Sequence, residues 1–117
     1  MEEMITISGS EILNIEEKKW LITRLGAMHD KIQRRFKDSV FLDLHIKEYE
    51  PEGKKKFSMH VRLHGASGEI EAHHHDYNLS RGLQRVLDKL LGEIEHLFRT
   101  EDKHAQQKKM KKLKRMI

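Results

Sequence analysis

Three runs of strict alternation constrain this chain more than any other feature. Leu42, Leu44 and Ile46 interleave with Asp43, His45 and Lys47. Phe57, Met59, Val61 and Leu63 interleave with Ser58, His60, Arg62 and His64. Ile70 and Ala72 interleave with Glu71, His73 and His75, and His74 stands at a borderline inward position. In an extended strand, successive side chains point to opposite faces, so each run is a strand with one apolar and one polar side. Turn residues separate the runs: Pro51-Glu52-Gly53, extended by Lys54 to Lys56, and then Gly65-Ala66-Ser67-Gly68. A sheet that is apolar on one face only must bury that face against something else.

The chain carries two suitable covers. Asn14 followed by Glu17 has the spacing of a capping box, which predicts a helix from about Ile15 to Phe36. Leu21, Leu25, Met28, Ile32 and Phe36 recur on it at helical spacing. After Asp76 or Asn78 as the cap, Leu79, Leu83, Val86, Leu87, Leu90, Ile94, Leu97 and Phe98 form a second stripe. Met4-Ile5-Thr6-Ile7-Ser8 reads as a further short strand. The predicted order is β-α-β-β-β-α, an α+β domain with a four-stranded sheet and both helices on one face. The first two strands should be parallel, joined by a right-handed crossover, and the rest an antiparallel meander. The domain is expected over residues 1–99, with a basic tail over 100–117.

Composition narrows the function. Charged residues make up 36% of the chain and hydrophobic residues 37%, which predicts a thin core under a heavily charged surface. The chain has no cysteine, so disulfide frameworks, thiolate metal sites and cysteine nucleophiles are excluded together. No apolar run approaches the ~20 residues of a membrane span. The acidic Met1-Glu2-Glu3-Met4 start lacks the order of a signal peptide, so a cytoplasmic location is expected. The net charge is +4, and the segment Lys103–Ile117 holds seven Lys and Arg with no Asp or Glu. A cationic end on a near-balanced domain points to a polyanionic partner. No phosphate-binding glycine loop or nucleophile elbow is present, and Glu69 with Glu71 is an ordinary pair on a charged strand, so an enzyme is not expected.

In this order and spacing the chain resembles the hibernation-promoting factors, also called ribosome-associated inhibitor or sigma-54 modulation proteins. The resemblance covers roughly residues 4 to 99. It rests on Ile5-Thr6-Ile7-Ser8-Gly9 in the opening strand and Arg24-Leu25 in the first helix. It rests also on Gly68-Glu69-Ile70-Glu71-Ala72 in the last strand and Val86-Leu87-Asp88-Lys89-Leu90 in the second helix. The chain departs from the family in three places. Asn78 to Gln84 replaces an acidic-Met-Tyr-Ala-Ala-Ile-Asp segment, and Ala27 and Gly92 stand at basic family positions. The resemblance implies a protein that binds the small ribosomal subunit and its rRNA in the mRNA and tRNA channel, inhibiting translation during stress. Longer members add a C-terminal domain that pairs two ribosomes, and this chain resembles the short forms.

Phosphate neutralisation needs long cationic side chains gathered on one surface. Arg81, Arg85 and Lys89 follow at i, i+4 and i+8 on the second helix, and Arg24, Lys31, Arg34 and Arg35 lie along neighbouring faces of the first. Arg24 and Lys89 also match basic family positions. Lys108, Lys109, Lys111 and Lys112 in the tail could reach along rRNA, or bind acidic lipid instead. Trp20, Tyr49 and Phe41 are the rings available to stack on bases, although Trp20 also suits the edge of a helix and Phe41 the end of a sheet. Gly82 and Gly92 inside a helix call for close packing or a nearby RNA backbone. No metal, cofactor, small-molecule substrate or membrane partner is expected. Two other readings stay open. The α-β-β-β-α portion resembles a generic double-stranded RNA module. His45, His60, His64, His73 and His75 could alternatively line a metal-responsive interaction surface, or contact RNA and charge in mild acid.

Overall fold

The computed structural model describes residues 4–66 and 68–102. Strand β1 (Ile5–Ser8) leads through a 3₁₀ turn at Ser10–Ile12 into helix α1 (Ile15–Gln33). Strand β2 (Phe41–Tyr49), a 3₁₀ turn at Pro51–Gly53, β3 (Lys56–Gly65) and β4 (Gly68–Asp76) follow, and helix α2 (Leu79–Asp102) closes the fold. The sheet order is β1-β2-β3-β4, with β1 parallel to β2 and the other pairs antiparallel. This is the expected β-α-β-β-β-α arrangement.

The registers explain why the alternation builds one core. Leu42 lies opposite Leu63, Leu44 opposite Val61, and Val61 opposite Ala72, so the apolar positions of neighbouring strands fall on one face. Leu21, Leu25 and Ile32 of α1 and Leu83, Val86, Leu87, Leu90 and Ile94 of α2 pack onto that face, all at most 2% exposed. Each such side chain contributes about 1.5–3 kcal/mol relative to staying in water. Both helices therefore cover the same side, and the opposite side of the sheet is open.

Local chemistry sets the boundaries. The capping box forms as expected: Glu17 N donates to Asn14 Oδ1 at 2.8 Å, and Asn14 N donates to Glu17 Oε1 at 3.0 Å. Helix α1 stops at Gln33, three residues before the expected Phe36. Its end tightens, with Arg35 N donating to Ile32 O and Phe36 N to Gln33 O, while Gln33 reaches forward to Asp38 O and Val40 N. Phe36 is buried all the same. Met28 is only partly buried, and His29 beside it is buried, its Nε2 2.7 Å from the carbonyl of Val40. Gly9 has φ +84°, and a Cβ there would lie 2.0 Å from the carbonyl oxygen of Ile46, so the entry to α1 requires glycine. A Cβ on Gly82 would meet Met59 Cε at 2.8 Å and Asp76 Cβ at 3.0 Å, which makes sheet packing the reason for that glycine. Among the described residues, no helix is long and apolar enough to cross a membrane.

Candidate nucleic-acid interface

The two helices run side by side in the same direction. Arg24 of α1 donates to the side chain of Gln84 of α2, and Arg35 pairs with Glu95. Both links have the same sequence offset of 60, which only helices pointing the same way can satisfy. Arg24 and Arg35 are thereby set beside α2. Arg24, Gln84, Arg81, Arg85 and Asp88 line a groove of about 560 Å³ between the helices.

The basic stripe of α2 is exposed, but most of it is held by partners on the end of β4. Asp76 is 5% exposed and accepts from Arg81 through Nε at 3.0 Å and Nη2 at 2.5 Å. It also accepts from the backbone of Asn78 at 3.0 Å, and Arg85 Nη1 lies 3.8 Å away. The Arg81 hydrogen bond, helped by those from Asn78 and His74, outweighs burial and holds the Asp76 carboxyl well below the usual carboxylate range. The same contact raises Arg81 above the ordinary guanidinium value. Asn78 caps the helix by accepting from Arg81 N at 2.8 Å, so Asp76 fixes the capping residue and Asn78 caps the helix.

Lys89 has a different environment. Its Nζ donates to the His73 carbonyl at 3.1 Å and to His74 Nδ1 at 3.2 Å. An ammonium group only donates, so Nδ1 is the acceptor and the His74 proton sits on Nε2. From there it donates to Asp76 Oδ2 at 3.2 Å. His74, half-buried on the helix side, thus links Lys89 to the Asp76 cluster. Lys31 in the last turn of α1 and Arg34, its cap, are exposed and have no carboxylate partner among the described residues; Arg34 and Arg35, expected on the helix, fall just past its end at Gln33. The tail candidates Lys108, Lys109, Lys111 and Lys112 lie outside the described residues.

The open face of the sheet collects the histidines, interspersed with carboxylates. His45, His60 and His73 stand in register across β2, β3 and β4. Arg62 bridges Asp43 at 2.9 Å and Glu69 at 3.5 Å, His64 Nε2 lies 2.9 Å from Asp43, and His60 lies 3.6 Å from Glu71. Phe41 stacks on His64 with centroids 5.4 Å apart, and Tyr49 Oη is hydrogen-bonded to His75 Nδ1 at 2.9 Å. Of the three candidate stacking rings, only Trp20 borders the basic groove. Among the described residues, no three His, Asp or Glu side chains are placed to hold a metal ion.

No protein-family model matches the chain, and no curated protein matches it either. The Asp76 and His74 cluster is not legible in the residue spacing. Its only signals were an acidic residue just before a helix carrying Arg at i+5, and an inward-facing histidine.

Proposed function

We propose that this domain binds the RNA of the small ribosomal subunit through the exposed surface of α1 and α2 and restrains translation by occupying the mRNA and tRNA channel. The observation that carries this reading is the parallel helix pair, which gathers Arg24, Arg81 and Arg85 around one groove; Lys31, Arg34 and Lys89 are further exposed cations of the same two segments. Arg24 on α1 and Arg34, the residue that caps its end, lie ten residues apart, a span of about 15 Å. That length covers more than one phosphate along an RNA backbone. The residues that carry the resemblance to the hibernation-promoting factors lie on β1, α1, β4 and α2 of this chain. The mechanism is steric and needs no chemistry from the protein.

The test is co-sedimentation with purified small subunits across a salt series, with an unrelated RNA duplex as competitor. Saturable, salt-sensitive binding that survives the competitor is expected. Complete competition by the duplex would instead indicate a generic double-stranded RNA module. Failure to sediment at low salt would remove the RNA reading.

A further inference from the structure

The basic groove does not end at the α2 stripe. A second depression, of about 550 Å³, adjoins it at the N-terminal ends of the helices and shares Trp20, Asn78 and Ser80 as walls. This second part is lined by Trp20, Phe57 and Tyr77, with Glu16 and Glu17 on its rim. Trp20 and Phe57 pack on the core and are only partly buried, and Tyr77 is 50% exposed, with Lys56 Nζ over one face of its ring at 5.0 Å and the other face left for stacking. Three aromatic rings therefore border a cleft that continues directly into one lined by Arg24, Arg81 and Arg85. A volume of this size lies in the ordinary range for small-ligand sites.

We infer that this aromatic end of the cleft is a stacking subsite for an unpaired RNA base, whose phosphates lie along the adjoining arginines. The inference rests on the proposed RNA interface and specifies the form of RNA it takes. Aromatic faces stack on any base, and neighbouring cations neutralise the backbone, which together form the usual platform for single-stranded nucleic acid. Charge sets the orientation. The carboxylates at the aromatic end repel phosphate but can accept from the amino and imino groups of a base edge. Glu17 is held in place by accepting from Asn14 N through Oε1 in the capping box, and its second oxygen and the carboxylate of Glu16 remain to accept from a base. The other end sets Arg24, Arg81 and Arg85 against Asp76 and Asp88, so it is net cationic and attracts phosphate. Base and phosphate are thus sorted to opposite ends of one cleft. A paired base in a duplex presents no face to the rings, so the subsite selects unpaired nucleotides.

Trp20 is the only tryptophan in the chain, so its fluorescence reports the subsite directly. The full chain would be titrated with a mixed-sequence single-stranded RNA of about twelve nucleotides, the matching duplex, and inorganic polyphosphate. Quenching of Trp20 by the single strand, with little by duplex or polyphosphate at equal occupancy, is expected. Tyr77→Leu, which removes an exposed ring and keeps the reporter, should weaken single-strand binding about tenfold while the circular dichroism spectrum stays unchanged. Equal quenching by polyphosphate, or unchanged affinity in the folded Tyr77→Leu variant, would overturn the subsite. RNA binding without any change in Trp20 would overturn it and leave the helix interface in place. Absence of binding to RNA of any form would overturn both.

Discussion

Asp76→Asn is the most informative single substitution in this fold. The carboxylate is buried and accepts from Arg81, Asn78 and His74, so it joins the end of β4 to the start of α2. Asparagine keeps one oxygen for the Asn78 amide and loses the charge that holds Arg81. Arg81 is half-exposed, with a side-chain accessibility of 53%, so after the change its guanidinium returns to water at little cost. What is lost is the net worth of a charge-assisted hydrogen bond, about 1.5–3 kcal/mol. In a domain of about 100 residues, a loss of about 2 kcal/mol lowers Tm by roughly 8–16 °C. The pH dependence carries a second signature. Because the folded carboxyl titrates below its unfolded value of about 3.9, its contribution is complete above that pH. The contribution fades as pH falls from there toward the folded value, because protonating the carboxyl removes what Arg81 recognises. Thermal melts of wild type and Asp76→Asn should therefore differ most at neutral pH and converge below about pH 4. A difference that is constant with pH, or a Tm within 2 °C of wild type at pH 7, would refute the assignment of Asp76 as the anchor of α2.

The glycines of α2 should respond in opposite directions. Gly92→Ala meets open space and should stabilise by about 1 kcal/mol, whereas Gly82→Ala must displace Met59 and Asp76 and should destabilise, both read by urea denaturation. Arg62→Ala on the open sheet face should change stability little by urea denaturation, and the change should shrink further in high salt, because Arg62 and its Asp43 and Glu69 partners are solvent-accessible. Arg85→Glu combined with Lys89→Glu should leave the fold intact by circular dichroism and weaken small-subunit binding; undiminished binding would remove α2 from the interface.

The strands were legible because alternation maps directly onto pleat. A residue such as Leu44, flanked by Asp43 and His45, has only one side to face once Leu42 and Ile46 are buried. The helix stripes were legible for the same reason, at a longer period. The end of α1 was not, because Phe36 continues the apolar spacing while Gln33 forms hydrogen bonds that draw the chain toward β2. His29 was missed because a polar side chain on the buried stripe finds its partner eleven residues ahead, at Val40. The cationic stripe of α2 could be read from spacing alone. Its neutralisation could not, because Asp76 and His74 come from a strand whose end becomes adjacent only once the hairpin is formed.

That neutralisation makes the salt dependence of binding a quantitative test of the proposed interface. Seven cations were expected on the two helices, yet they do not count equally as phosphate ligands. Arg35 is paired with Glu95, and Arg81 and Arg85 share the single charge of Asp76. Gln84 connects Arg24 to Asp88, accepting from the first and donating to the second at 3.0 Å, so this arginine also has a nearby countercharge. Lys31 and Arg34 have no carboxylate partner among the described residues, and Lys89 is held by uncharged acceptors. The surface thus offers about four unbalanced charges, for which counterion release predicts a slope of log K against log salt near −3. Engagement of all seven as independent phosphate ligands would give a slope of about −5 to −6. A helix-domain variant truncated after Asp102 removes the tail lysines from the measurement, and its slope isolates the groove. A value near −3 would support an interface in which Asp76, Asp88 and Glu95 keep their arginines. A value near zero for that variant, with binding retained by the full chain, would move the RNA contact off the helices and onto the basic tail.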